Sequence, residues 1–416
     1  MAGTDLFRRL SPQVVAGVAI SAGSTAVAVK ALWTPPLDLR VYRAGGQALL
    51  AGTPLYAGPV FGGLDFTYPP LAALVFVPLA LLPMPVTHLL VTAGNLAALW
   101  FVVSRSLRML GVPPGPRAVS LTLLIAGCLF WVDAVRTTFY LGQVNLALLA
   151  LLLWDLSRPR ERRGLGIGVG IAAGIKLTPL IFVPYLLVTR RFRAAGVAMA
   201  TFLCTVLLGF VAVPADATTY WLTGTFAHVS RVFPDLDSAH NQSVRGLISR
   251  TLGDGAFAAS LWLVVVLVLV AGTITLAARA SRQGNELLAI TLCGMCGVAV
   301  PPFSWNHHWV WLVPLAVLLV HRLLLVPAPD RVRWLPAAAL FPLTLPWLAN
   351  LANPPVTGPA PLTGPLAALL DNVYLLIYLA TLAAATASPR TSPGPKHARQ
   401  RYFPGPTPGT QTSTDA

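Results

Sequence analysis

The sequence predicts an all-α polytopic membrane protein with about twelve transmembrane helices and both termini in the cytoplasm. Three observations lead there. Of 416 residues, 56% are hydrophobic and 10% charged, against about 25% charged in soluble domains. The apolar residues gather in runs that can cross the ~30 Å core of a bilayer at ~1.5 Å per residue. The formal charge is +15, but it sits in short arginine clusters between these runs, and lysine occurs only as Lys30, Lys176 and Lys396. That pattern argues against nucleic-acid binding and for basic cytoplasmic loops.

Taken in order, Arg8 and Arg9 precede a first run over 14–33. No small-x-small cleavage site follows, so this is a retained span and not a signal peptide. Further crossing runs are expected at 86–103, 118–135, 142–156, 164–176, 178–189, 194–213, 257–278, 286–303, 308–326, 334–351 and 366–387. The clusters around Arg105, Arg158, Arg190, Arg279 and Arg331 all fall inside only if the stretch 71–82 does not cross. Prolines at 69, 70, 78, 83 and 85 interrupt that stretch, which predicts a re-entrant or interfacial element near 69–85. Residues 1–387 then form one membrane domain with long outer loops at 34–85 and 214–256, and the outer face is neutral. The Pro-, Gly-, Ser- and Thr-rich segment 388–416 reads as a disordered, basic cytoplasmic tail that touches anionic lipid. Cys128, Cys204, Cys293 and Cys296 lie in apolar runs, and Cys293-x-x-Cys296, despite its redox or zinc spacing, reads as packing.

Polar residues collect at the predicted outer ends of spans. Asp38, in Leu37-Asp38-Leu39-Arg40-Val41-Tyr42-Arg43, opens a short amphipathic helix that ends near Gly52; its carboxylate is either a general base or a helix cap. Phe66-Thr67-Tyr68-Pro69-Pro70 is an aromatic anchor or a sugar platform. Gln143 and Asn145 open a wholly apolar run, where amides bind polyols or cap helices. Lys176, in Gly174-Ile175-Lys176-Leu177-Thr178-Pro179, is deep in the membrane domain; it either meets an anion such as phosphate or snorkels to the headgroups. His240-Asn241-Gln242-Ser243-Val244-Arg245 is a dense donor set that also matches a glycosylation pattern. Ser304-Trp305-Asn306-His307-His308-Trp309 joins two histidines to an aromatic belt, and adjacent histidines on different faces do not make a metal pair.

Together these motifs resemble the polyprenol-phosphate-mannose-dependent α-(1→2)-mannosyltransferases of actinobacteria, which have the class C glycosyltransferase fold and act in phosphatidylinositol mannoside and lipomannan synthesis. The resemblance runs from about Asp38 to Trp311. It implies inverting transfer of mannose from a polyprenyl-phosphate-mannose donor to a mannosylated lipid or lipoglycan on the outer face of the plasma membrane. Asp38 stands at the family's first-outer-loop aspartate and is expected to be the base. His307, His308, Lys176, Arg245 and Arg43 are expected at the donor phosphate. Gln143, Asn145, Asn241 and Gln242 are expected at sugar hydroxyls, with Tyr68 and Trp305 on sugar faces. The partners implied are donor, acceptor and membrane lipid, with no nucleic acid, cofactor or metal. Asn306 departs from the acidic residue expected before the histidine pair, and Asp65 or Asp237 are the candidate substitutes. The competing class is a multi-pass transporter or lipid flippase, but the two halves of the chain are dissimilar and the polar groups lie at one face.

Overall fold

The computed structural model describes residues 32–324, 331–345 and 364–386, with single positions 17, 25, 29, 30 and 348 besides. The run 14–33, the far end of the run 334–351 and the tail 388–416 lie largely outside the described residues. Helix α1 is Leu37–Ala51, followed by a small antiparallel hairpin of β1 (Pro59–Phe61) and β2 (Leu64–Asp65). Next come α2 (Pro70–Leu81), α3 (Met84–Met109), α4 (Pro116–Leu129), α5 (Asp133–Leu141), α6 (Asn145–Leu156), α7 (Ile167–Ile175) and α8 (Phe182–Val188). The chain continues through α9 (Phe192–Ala212), α10 (Pro214–Trp221), α11 (Val244–Leu252), α12 (Ala256–Arg282), α13 (Glu286–Ala299) and α14 (Leu312–Leu324). The last described helices are α15 (Leu335–Leu340), α16 (Pro365–Leu370) and α17 (Val373–Thr386).

Among the described residues, α3, α9 and α12 are each long and apolar enough to cross a membrane. On α12, Leu263, Val264, Leu267 and Val268 are exposed, as a helix against lipid requires. At the other extreme α13 is buried from Leu287 to Ala299, so Cys293 and Cys296 are packing residues of the central core. The expected crossing at 118–135 is broken: α4 and α5 meet at 80°, because Val132 is extended between them. The run 366–387 likewise divides into α16 and α17.

The expected crossings at 164–176 and 178–189 are two short arms. Helix α7 has 9 residues, a rise of about 14 Å, roughly half of the ~30 Å hydrocarbon core. The return arm is a 3₁₀ turn, Thr178–Ile181, that runs into α8. The hairpin tip is Lys176, extended at φ −148°, ψ 128°. Such a hairpin brings the chain back to the end it left, so the side of every later loop is unchanged.

That end gathers the arginine-bearing loops. Arg105 donates to Ser157 Oγ at 2.6 Å, Arg160 and Arg191 reach Ser281 Oγ at 3.0 and 2.9 Å, and Arg191 pairs with Glu286 at 2.7 Å. Asp155 joins them from the last turn of α6. It is fully buried, pairs with Arg158, and accepts from the backbone N–H groups of Gly166 and Val169 at 3.0 Å. A carboxylate on the exposed N–H groups of a helix start is favourable in charge and in hydrogen bonding. It ties the end of α6 to the beginning of α7 and so sets Lys176, at the far end of α7, beside Asn145, at the far start of α6.

Asp155→Ala should therefore destabilise the protein by about 3–5 kcal/mol, because Arg158 loses its carboxylate and two helix N–H groups lose their acceptor. Chemical denaturation in mild detergent measures the loss, and a change below about 1 kcal/mol would show that other contacts hold α6 to α7.

Candidate active site

Two close approaches bring the site together. Gly45 and Gly46 on α1 lie against the Phe66 ring and the α2 backbone; a Cβ on Gly46 would sit 2.9 Å from the Phe76 carbonyl oxygen. The turn after α5 needs Gly142 at φ +67°, and a Cβ there would meet Leu39 Cβ of α1 at 2.8 Å. Only glycine satisfies both the left-handed backbone and the contact. Gln143 thereby reaches α1. Asp38 is in the first turn of that helix, but the N-cap is Pro36 and no side chain caps it, so the Asp38 carboxylate is free to meet Gln143.

Gln143 organises the polar groups around it. Its Oε1 accepts from Tyr42 Oη at 2.7 Å. The single Tyr42 hydrogen is then spent, so in the 2.9 Å contact between the two hydroxyls Tyr68 donates to Tyr42. With Oε1 fixed, Gln143 Nε2 donates to Asp38 Oδ2 and to His307 Nε2, the latter at 3.2 Å. A ring nitrogen that accepts carries no proton, so the His307 proton is on Nδ1. Nδ1 is buried and has no protein partner. His307 Nε2 and Asp38 Oδ2 are 4.0 Å apart.

Lys176 enters from the hairpin tip. Its Nζ donates to Asn145 Oδ1 at 3.0 Å and lies 5.8 Å from the centre of the Tyr68 ring. Asn145 Nδ2 in turn donates to the His307 carbonyl at 2.9 Å. Trp305 stacks on the His307 ring at 6.0 Å and 12°, and His308 meets that ring edge-on at 4.9 Å. All these groups border one cavity of about 590 Å³. Burial pushes the Asp38 carboxyl up to about 6, partly offset by the Gln143 amide and the Lys176 charge. Burial and Lys176 together hold His307 well below its ordinary range, so the ring is neutral.

Of the residues expected from sequence, Asp38, Tyr68, Gln143, Asn145, Lys176, Trp305, His307 and His308 converge on this cavity. Arg43, Arg245, Asn241 and Gln242 do not. Arg43 covers the open carbonyls at the end of α2, donating to Leu79 and Leu82 at 2.9 and 2.6 Å. Arg245 pairs with Asp254 at 3.2 Å. Asn241 is fully buried and spends its amide on the carbonyls of Leu236 and Pro302 and on the N–H groups of Ser243 and Ser304, which also removes it as a glycosylation acceptor. Gln242 borders a separate, smaller cavity.

Two further residues carry no such mark in the sequence. Tyr42 stands in the Asp38 motif, but nothing there shows it to be the donor that orients Gln143. Asp133 is buried and takes the Asn306 amide, so the acid beside the histidine turn is neither Asp65, which pairs with Arg231 at 3.3 Å, nor the exposed Asp237. An aspartate inside an apolar run was the available signal.

The cavity thus combines a carboxylate, a neutral imidazole and an ammonium in a bundle of apolar helices. Residues 66–304 match the family model of glycosyltransferase family 87. A polyprenol-phosphate-mannose-dependent alpha-(1-2)-phosphatidylinositol mannoside mannosyltransferase of Mycobacterium tuberculosis is 36% identical, over 68% of this chain and 70% of its own length. Polyprenol-phosphate-mannose-dependent alpha-(1-2)-phosphatidylinositol pentamannoside mannosyltransferases are also 36% identical. The one from M. tuberculosis matches over 85% of this chain and 82% of its own, and the one from Mycolicibacterium smegmatis over 77% and 78%. No solved structure matches. The chain belongs to glycosyltransferase family 87 and is a membrane glycosyltransferase. The family match begins after Asp38 and ends just before His307.

If Asp38 acts as a base, kcat/KM for glycosyl transfer should fall about tenfold per pH unit below about 6, because only the deprotonated carboxylate accepts a proton. Gln143→Leu removes a donor that stabilises this carboxylate, so the midpoint should move to higher pH. A midpoint that Gln143→Leu leaves unmoved would show that Asp38 is not the group titrating.

Proposed function

We propose that the protein transfers mannose, with inversion, from a polyprenyl-phosphate-mannose donor to a mannosylated lipid or lipoglycan, forming an α-1,2 linkage on the outer face of the plasma membrane. The observation that carries this reading is the convergence of Asp38, His307 and Lys176 around Gln143 in one cavity. The relatives, whose names specify that donor and phosphatidylinositol mannoside acceptors, support the same chemistry.

The leaving phosphate is stable as an anion, so one base suffices and the paired carboxylates of most glycosidases are not needed. Asp38 removes the proton of the acceptor 2-hydroxyl as its oxygen attacks the anomeric carbon. The bond from that carbon to the phosphate oxygen breaks with its electron pair on the phosphate. Lys176 supplies positive charge to that phosphate and His307 Nδ1 supplies an N–H, both already held in place. His308 adds bulk and polarity at the same wall. Asn145 locks Lys176 to the His307 backbone, which makes it a positioning residue. Tyr68 and Trp305 offer aromatic faces to the sugars.

In this reading residues 1–387 form a single catalytic membrane domain of twelve apolar passes, two of them the short arms of the Lys176 hairpin. Both termini and the basic segment 388–416 are cytoplasmic. The gathering of Arg105, Arg158, Arg160 and Arg191 at the end of α6 opposite to Asn145 supports that orientation.

Asp38→Asn should lower mannosyl transfer from polyprenyl-phosphate-mannose by about 10²- to 10⁴-fold while the protein still folds and reaches the membrane. Full transfer by this variant would remove Asp38 from the mechanism. For sidedness, single cysteines at the exposed Ala57 and Glu161 in a cysteine-free background are treated with an impermeant maleimide on intact cells. Labelling at 57 and protection at 161 are expected, and the reverse would invert the topology.

A further inference from the structure

The turn that carries His307 is fastened at both ends of α5. Beyond the C-terminal end, past Gly142, Gln143 donates to the His307 ring and Asn145 to the His307 carbonyl. At the N-terminal end the fastening is Asp133, the first residue of α5, just after the 80° break from α4. Helix α5 has 9 residues, a rise of about 14 Å. Contacts made at both of its ends fix the helix along the histidine turn in a way that neither end could alone.

Asp133 is 5% exposed. Its Oδ1 accepts from Arg136 Nη2 at 3.1 Å and from Thr137 Oγ1 at 3.2 Å. Its Oδ2 accepts from the Asn306 amide and from the Tyr374 hydroxyl, the latter at 3.4 Å. Every partner is a donor, a set that a carboxylate satisfies and an amide, with one oxygen, does not. Asn306 passes the constraint on. Its Nδ2 faces the carboxylate, which leaves Oδ1 to accept from the His307 backbone N–H at 2.8 Å. A flipped amide would set oxygen against oxygen and N–H against N–H, so the orientation is fixed. An acid at 306 would set two carboxylates face to face. With Asp133 in place, asparagine is the residue that fits.

We propose that Asp133 is a positioning residue for glycosyl transfer: through Asn306 it sets the His307 backbone and so aims the His307 Nδ1–H at the leaving phosphate. Asp133 does not border the main cavity, whereas Asn306 and His307 do, so it acts through them and not on the substrate. The inference rests on the mannosyltransferase reading, in which that N–H meets the phosphate.

The test measures kcat per folded enzyme with polyprenyl-phosphate-mannose as donor. Asp133→Asn keeps the size of the side chain and replaces one acceptor oxygen by a donor. It should lower kcat about 10- to 100-fold while the donor KM changes less than about threefold, because the misaimed group acts on charge that develops in the transition state. Asn306→Asp, which leaves Asp133 in place but opposes two carboxylates, should do the same and serves if the first variant folds poorly. In a His307→Ala background either substitution should cost less than about twofold more, because the group it aims is gone. An equal loss in both backgrounds overturns the proposal, since a residue that only supports the fold acts whether or not His307 is present. Wild-type kcat in both Asp133→Asn and Asn306→Asp overturns it too. Absence of mannosyl transfer by the wild-type enzyme instead removes the mannosyltransferase reading, and this role of Asp133 goes with it.

Discussion

Gln143 has one carbonyl oxygen and two amide hydrogens, and in this bundle each has a different partner. Tyr42 takes the oxygen, Asp38 takes one hydrogen and His307 takes the other. In a poorly solvated cavity an unpaired polar atom is expensive, so this set of bonds holds the amide in one orientation. Once it is held, the Asp38 contact, the imidazole tautomer and the free Nδ1–H are decided together. The arrangement depends on the backbone as well, because Gln143 reaches α1 only through the left-handed Gly142 and its contact with Leu39.

Charge is treated differently where the arginines gather and at Asp38 and Lys176. Where the arginines gather, carboxylates are matched at short range by guanidinium groups: Asp155 by Arg158, and Glu286 by Arg191. Those pairs fasten helices. In the cavity, Lys176 has an amide partner and Asp38 has an amide and a neutral ring. Neither charge is neutralised by direct pairing, which leaves both available to a substrate. Asp155 links the two regimes, because fixing the start of α7 at one end sets the position of Lys176 at the other.

The same division explains how the motifs read from sequence sort in space. Residue type marks a group that can bind a sugar or phosphate, but the partners of that group determine whether it is free to do so. Arg43, Arg245 and Asn241 have suitable chemistry and sit in the right loops, yet helix-end carbonyls, Asp254 and backbone groups consume them. Asp133 is marked in the sequence only as an acid in an apolar run, and its contact with Asn306, 173 positions away along the chain, is not legible there. Tyr42 is inconspicuous because its hydroxyl acts on Gln143, 101 positions away.

Composition and run length alone determined that the chain is helical and membrane-bound, since so few charges over so many apolar residues leave no other way to satisfy the backbone. The proline-bounded α2 and the end of α1 at Gly52 were also legible, because proline and glycine act locally. Eight of the residues that border the cavity stood out in the sequence, because polar and aromatic side chains at the ends of apolar runs are conspicuous there. Tertiary structure alone decided the Lys176 hairpin, the break between α4 and α5, the tautomer of His307 and the exclusion of Arg43, Arg245 and Asn241. Each of these depends on which distant groups share a buried volume, and pairing across a hundred residues leaves no trace in local spacing.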